Sequence, residues 1–235
     1  MQFRPIDVAK QLNISTSALR HYESWGIIPA PERAPNGYRI YTEEHVAYFA
    51  CIRAMYPVFS MQLISDVLKK IQKKEVDAAL WLVSEAQAAL YRDKQVAEKT
   101  VEVLEGQEFD NIDVPRKKKW MTIGEVSEET LVPSSAIRHW EKIGLITTSR
   151  DPENGYRRFN RFHVRKILII RTLKTSVYSL DVIKEVIKEL DHNNIEQAKK
   201  VAKDSIEYLN QLNRAQVRGV NYLYQLCRTL HVLEE

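Results

Sequence analysis

The residues best equipped for chemistry in this 235-residue chain come in two matched sets. Ser17, Arg20, His21, Tyr22 and Glu23 recur 118 positions later as Ser135, Arg138, His139, Trp140 and Glu141. Asn36-Gly37-Tyr38-Arg39 returns unchanged as Asn154-Gly155-Tyr156-Arg157. Such side chains are either solvated surface residues or contacts to a nucleic acid, where phosphate contacts set register and base-edge contacts discriminate sequence. Ser17, Arg20, Ser135 and Arg138 are the candidate readers of base edges or phosphates. Tyr38, Arg39, Tyr156 and Arg157, with Arg33, Arg150 and Arg158 beside them, are candidates to grip the backbone or the adjacent minor groove. Tyr22 and Trp140 suit either core packing or a backbone contact.

Other chemistries find little support. His21-x-Glu23 and His139-x-Glu141 echo a metal-binding element, but no clustered cysteines accompany them. Cys51 and Cys227 lie far apart, with no Cys or His at ligand spacing, which fits a reducing compartment rather than a disulfide framework. There is no nucleophile–base constellation and no phosphate-cradling glycine loop, so neither an enzyme nor a bound cofactor is expected. The longest purely apolar run, Ile167 to Ile170, is too short to span a bilayer, and a cytoplasmic, nucleoid-associated protein is the expectation. Residues 1–109 carry 13 Lys and Arg against 14 Asp and Glu, whereas residues 110–235 carry 22 against 17. The second repeat is therefore the more basic partner, a polarity relevant to polyanions.

These side chains need elements to hold them. Ile6, Val8, Ala9 and Leu12 stand at helical spacing, Asn13 to Thr16 supply a turn and caps, and Gly26 can close a second helix. Two short helices joined by such a turn form a helix-turn-helix unit. Asn36-Gly37 predicts a β-hairpin wing through a type I′ turn with positive φ at both central residues. Thr42 and Ser60 can cap two further helices, separated by Pro57. From Glu75 to Glu105 there is no proline or glycine. Val76, Leu80, Val83, Gln87, Leu90, Lys94, Ala97, Val101 and Leu104 there form a heptad seam that needs a partner helix. The second half repeats the plan: a first helix around Thr122–Val126, a second after Pro133, a wing at Asn154-Gly155, and an Asn160 cap. A long helix from Ile195 to the chain end then carries a stripe from Ala198 to Leu233. A duplication of this length sets the architecture.

The order of elements resembles the MerR family of bacterial transcription regulators, and does so twice. Thr122-Ile123-Gly124-Glu125-Val126 is similar to that family's opening motif, with Arg4-Pro5-Ile6-Asp7-Val8 a degraded version. Ala18 to Glu23 and Ala136 to Glu141 resemble its recognition helix; Asn36 to Tyr41 and Asn154 to Phe159 resemble its wing. Members are typically homodimers joined by an antiparallel coiled coil, binding a pseudopalindrome in double-stranded DNA and distorting it for RNA polymerase. The resemblance thus implies a mainly α fold with pseudo-two-fold symmetry. Winged domains at 1–74 and 120–193 would each be followed by a coiled-coil helix (75–107 and 194–235), with a linker at 108–119. One chain would supply both halves of a dimer, acting as a monomer on an imperfect palindrome. A DNA-architectural protein without promoter activation is the alternative, as is pairing of heptads between chains. The metal-sensing cysteines of the family are not matched, and no effector ligand is assigned. Trp81, Tyr91, Tyr208, Tyr222 and Tyr224 are core aromatics or, alternatively, the lining of a ligand pocket by the coiled coil. The basic run Arg116 to Lys119 is either a solvated linker or a source of further phosphate contacts.

Overall fold

The computed structural model describes residues 2–105, 120–175, 179–191 and 195–233. The linker at 108–119 with its basic run, and the junctions around Ser176 to Tyr178, lie outside the described residues. The chain divides into two units, Met1–Ala89 with Gln211–Glu235, and Leu90–Asn210.

In the first unit, α1 (Pro5–Leu12) and α2 (Thr16–Ser24) are joined through Asn13, which adopts the left-handed conformation (φ 50°) and closes α1. The Ser15 hydroxyl accepts the Ala18 N–H at 3.1 Å, satisfying a donor that α2 leaves unpaired at its start. Val8 and Ala9 are the buried positions of α1; Ile6 is 46 % exposed. Gly26 (φ 66°) ends the motif and turns the chain towards the wing, β1 (Glu32–Arg33) antiparallel to β2 (Arg39–Ile40).

The wing corrects one expectation. Its tip is not a two-residue type I′ turn: Gly37 carries the positive φ (81°) and Asn36 does not. Gly37 N–H instead donates to Ala34 C=O at 2.8 Å, and Ala34 N–H to Tyr38 C=O at 2.8 Å, across a five-residue loop. Pro35 sets the negative φ of a turn's second position, and glycine is needed only where the loop rejoins the strand. Asn36 acts through its side chain, whose Oδ1 accepts the Tyr38 N–H at 3.2 Å. Asn154 does the same for Tyr156 at 2.9 Å.

Helix α3 (Glu43–Met55) starts at Thr42, and α4 (Met61–Gln72) at Ser60, whose hydroxyl accepts the Leu63 N–H at 3.2 Å. Helix α5 (Val76–Glu105) then begins in the first unit and ends in the second. Tyr41, Phe49, Ile52, Met55 and Leu68 form the core of the first unit with Ala79 and Val83 of α5. The same core contains Leu223, Leu226 and Cys227, from the far end of the chain.

The second unit holds the last part of α5, then α6 (Ile123–Thr130), α7 (Ser134–Lys142), and the wing β3 (Ser149–Arg150) paired with β4 (Arg157–Arg158). Helices α8 (Arg161–Thr175) and α9 (Leu180–Asp191) follow, then the first part of α10 (Ile195–Thr229). Thr122 and Glu125 form a reciprocal capping box at the start of α6, the Thr122 N–H donating to Glu125 Oε2 at 2.7 Å. Val96 and Leu104 of α5 share a core with Ile137, Phe159, Ile167, Leu173, Ala198 and Ala202. Inside that core Thr100 and Thr172 hydroxyls meet at 2.8 Å. Helix α10 stops at Thr229 rather than at the chain end. His231 turns left-handed (φ 52°), and Leu230 and Leu233 pack on the first core from beyond the helix. Among the described residues no helix is long and apolar enough to cross a membrane.

Both third helices share an unusual cap. The N–H of the residue before each helix donates to a histidine Nδ1, Thr42 to His45 at 3.1 Å and Asn160 to His163 at 3.0 Å. Burial holds both imidazoles below the ordinary histidine pKa, so each is neutral and able to accept. A folded-state pKa below the unfolded value means stability is complete above about pH 6.5 and is lost as pH falls through the folded value. Thermal denaturation should show a Tm falling between pH 7.5 and 5.5, and His45→Gln with His163→Gln should flatten that dependence.

Candidate nucleic-acid interface

The outward face of α2 is set by what its inward face must bury. Leu19 is fully buried and Tyr22 half-buried, and this leaves Ser17, Arg20 and His21 exposed. In α7, Ile137 and Trp140 are buried, so Ser135, Arg138 and His139 take the same places. Trp140, at 4 % exposure, belongs to the core and offers no surface to a ligand. Neither Arg20 nor Arg138 has an acidic partner within 4.0 Å among the described residues. In the first unit, α2 and the wing enclose a concave cleft of about 320 Å³ lined by Thr16, Arg20, Tyr38 and Arg39.

The wing arginines divide into two kinds. Arg39 is half-buried and ion-paired through Nε with Glu23 of α2, and Arg157 makes the same bond to Glu141 of α7 at 2.7 Å. The contact ties each wing to α2 or α7, to a residue 16 positions away in sequence. Burial alone would raise the Glu141 carboxyl, but the Thr148 hydroxyl and the Arg157 guanidinium outweigh it and hold it below its ordinary value. Arg158 is likewise bound, its Nε donating to Asp151 at 2.8 Å. Arg33 and Arg150 stay exposed, each donating to the carbonyl of its wing glycine, Gly37 at 3.3 Å and Gly155 at 3.2 Å. Tyr38 and Tyr156 stand out at the wing tips, 71 % and 74 % exposed.

Of the fifteen residues singled out from sequence, the structure leaves Ser17, Arg20, His21, Arg33 and Tyr38 exposed in the first unit, with Arg20 and Tyr38 lining one cleft. Ser135, Arg138, His139, Arg150 and Tyr156 are the matching five of the second. Arg39, Arg157 and Arg158 serve as struts, and Tyr22 and Trp140 turn inward. Sequence reasoning missed Glu23, Glu141 and Asp151 as the partners that position the wings. The signal available was the exact recurrence of the Glu23/Arg39 spacing as Glu141/Arg157.

Glu23 and Glu141 are committed to arginines, which removes the carboxylate that the His-x-Glu pattern would need. Among the described residues no three His, Cys, Asp or Glu side chains are grouped to hold a metal ion. Cys51 and Cys227 are both buried in the first core, where burial pushes each thiol up and away from the reactive thiolate.

Comparison with known proteins locates this arrangement. Residues 121–190 match the family described as MerR HTH family regulatory protein, and residues 4–41 the family described as MerR family regulatory protein. Nodulation protein NolA of Bradyrhizobium elkanii is 32 % identical over 74 residues, covering 32 % of this chain and 33 % of that one. The mercuric resistance operon regulatory protein of Bacillus cereus is 32 % identical over 76 residues, 32 % of this chain and 58 % of its own. The HTH-type transcriptional regulator CueR of Yersinia pestis is 27 % identical over 105 residues, 42 % of this chain and 75 % of its own. The chain thus spans about a third of the first of these relatives and under two thirds of the second. No solved structure matches significantly. Two separate family matches, each falling on a helix-turn-helix with its own wing or third helix, make the chain a MerR-family protein with two MerR-like domains.

Proposed function

We infer that this chain is a double-stranded-DNA-binding transcription regulator that works as a single-chain pseudo-dimer. The observation that carries the reading is an exchange of long helices. The first winged unit is completed by the end of α10, and the second by the end of α5, so each domain is built on a segment from the other half of the sequence. A homodimer with swapped coiled-coil helices has this connectivity between two chains; here one polypeptide supplies both partners. Arg20 and Arg138, exposed and without acidic partners among the described residues, read base edges or phosphates from helices in the major groove, where paired helix-turn-helix units dock. Arg33, Tyr38, Arg150 and Tyr156 hold the flanking backbone, while Arg39 and Arg157 keep each wing at a fixed angle to its helix. The halves differ in sequence, so the preferred site is an imperfect palindrome, and regulation proceeds by distorting promoter DNA for RNA polymerase in the cytoplasm.

Genome-wide footprinting tests this reading. The expected result is a bipartite protected site with two unequal half-sites, lying within a promoter. Purified transcription on that promoter should change when the protein is added. Protection scattered without a common bipartite motif, or binding with no effect on transcription, would favour an architectural role instead.

A further inference from the structure

The two halves differ in chemistry at a place that the proposed DNA contacts do not involve. In the first unit a cleft of about 550 Å³ opens between α1, α2 and the end of α3 on one side and α10 on the other. Its charged and aromatic lining is Tyr22 of α2, Arg53 and Tyr56 at the end of α3 and just beyond it, and Arg218 and Tyr222 of α10. The volume falls within the roughly 300–1,000 Å³ of small-molecule sites. Arg53 uses one nitrogen to hold the Asn13 carbonyl at 3.0 Å. Neither Arg53 nor Arg218 has a carboxylate partner among the described residues, although both face a concave surface with three tyrosines.

The second unit shows what the same position looks like when it is satisfied from within. By the repeat, Tyr22, Arg53 and Tyr56 correspond to Trp140, Arg171 and Lys174. There the long helix α5 offers Asp93, which pairs with Arg171 at 2.6 Å, and Lys174 sits 6.0 Å from the Trp140 ring centre. There Arg171 has a carboxylate partner from within the protein. In the first unit Arg53 has no such carboxylate among the described residues, and the long helix α10 brings a second cation, Arg218, into the cleft. Two guanidiniums sharing one cleft repel each other, and a planar anion bridging them removes that repulsion.

We propose that the first-unit cleft binds a small aromatic carboxylate. The carboxylate supplies for Arg53 what Asp93 supplies for Arg171, and accepts hydrogen bonds from both Arg53 and Arg218, whose forks match carboxylate geometry. The ring lies among Tyr22, Tyr56 and Tyr222. Burial and the neighbouring Tyr56 raise the Tyr22 phenol, so it stays protonated and able to donate. Ile14, in the turn leading into α2, lines the same cleft, so an occupant touches the segment that aims the recognition helix. That regulatory consequence rests on the DNA-binding reading, but binding of the carboxylate does not.

Isothermal titration calorimetry on the full chain without DNA, using 2-naphthoate as the probe, tests the site. One molecule should bind per chain, and the neutral 2-naphthylmethanol should bind at least about tenfold more weakly, since it lacks the charge-assisted bonds. Arg218→Gln should weaken 2-naphthoate binding by about tenfold or more while leaving the ligand-free Tm unchanged, because Arg218 makes no ion pair with any of the described residues. Tyr222→Leu should weaken both compounds. The proposal is overturned if 2-naphthoate gives no saturable heat, if the neutral analogue binds equally well, or if Arg218→Gln binds like the unaltered chain. It is also overturned if 2-naphthoate does not bind while Arg218→Gln lowers DNA affinity, which would assign these cations to the phosphate backbone.

Discussion

Arg138→Ala is expected to weaken binding to the bipartite site by roughly 10- to 100-fold, the loss of one well-placed arginine contact of about 1–3 kcal/mol. Arg20→Ala should cost less. Both side chains are exposed at matched positions of α2 and α7, so the difference comes from the surrounding charge. The second half carries 22 Lys and Arg against 17 Asp and Glu, and the first 13 against 14. Counterion release scales with phosphates neutralised, so the second half should own more of the salt dependence. Affinities for both variants across a salt series decide the matter. Equal losses at matched salt would remove the asymmetry.

The second large effect is structural. Gly219→Leu should detach α10 from the first unit. A glycine in mid-helix costs about 1 kcal/mol relative to alanine, so Gly219 needs a reason to stand there. A Cβ at that position would meet Phe59 Cε2 at 3.3 Å, the Ala54 carbonyl at 3.4 Å and Met55 Cα at 3.4 Å. Two of these are backbone atoms, which cannot swing aside as a side chain does. Leucine therefore forces the helix away from the end of α3, and overpacking of this kind costs about 1–3 kcal/mol or more. Thermal unfolding should lose several degrees in one transition, and footprinting should lose the half-site read by the first domain while the other persists. An unchanged Tm would mean that α10 does not pack there as described.

Much of this architecture was legible because it is local. The caps at Ser15, Ser60 and Thr122, the closing glycines, and the heptad run from Glu75 each follow from a few neighbouring residues. The exposed set Ser17, Arg20 and His21 follows from Leu19 facing inward. The features that escaped depend on partners distant in sequence. Nothing local says that Arg39 is spent on Glu23. The Asn36-Gly37 pair signals a tight turn, but Pro35 just before it changes which turn forms. Of the five aromatics set aside as a pocket lining, only Tyr222 lines the cleft; Trp81, Tyr91 and Tyr224 are exposed. Arg218 shares the helix of Tyr222, but Tyr22, Arg53 and Tyr56 join it from α2 and the end of α3, far away in sequence, and periodicity along one helix cannot reveal them.

The account stands or falls on one chain being a complete pair of DNA-binding halves. Light scattering coupled to gel filtration measures this directly, on the protein alone and on its complex with the bipartite site. The account predicts a mass near the 27.4 kDa of a single chain, and one chain per DNA duplex with both half-sites protected. A protein mass about twice that value, free or on DNA, would mean that the long helices pair between chains and would contradict it.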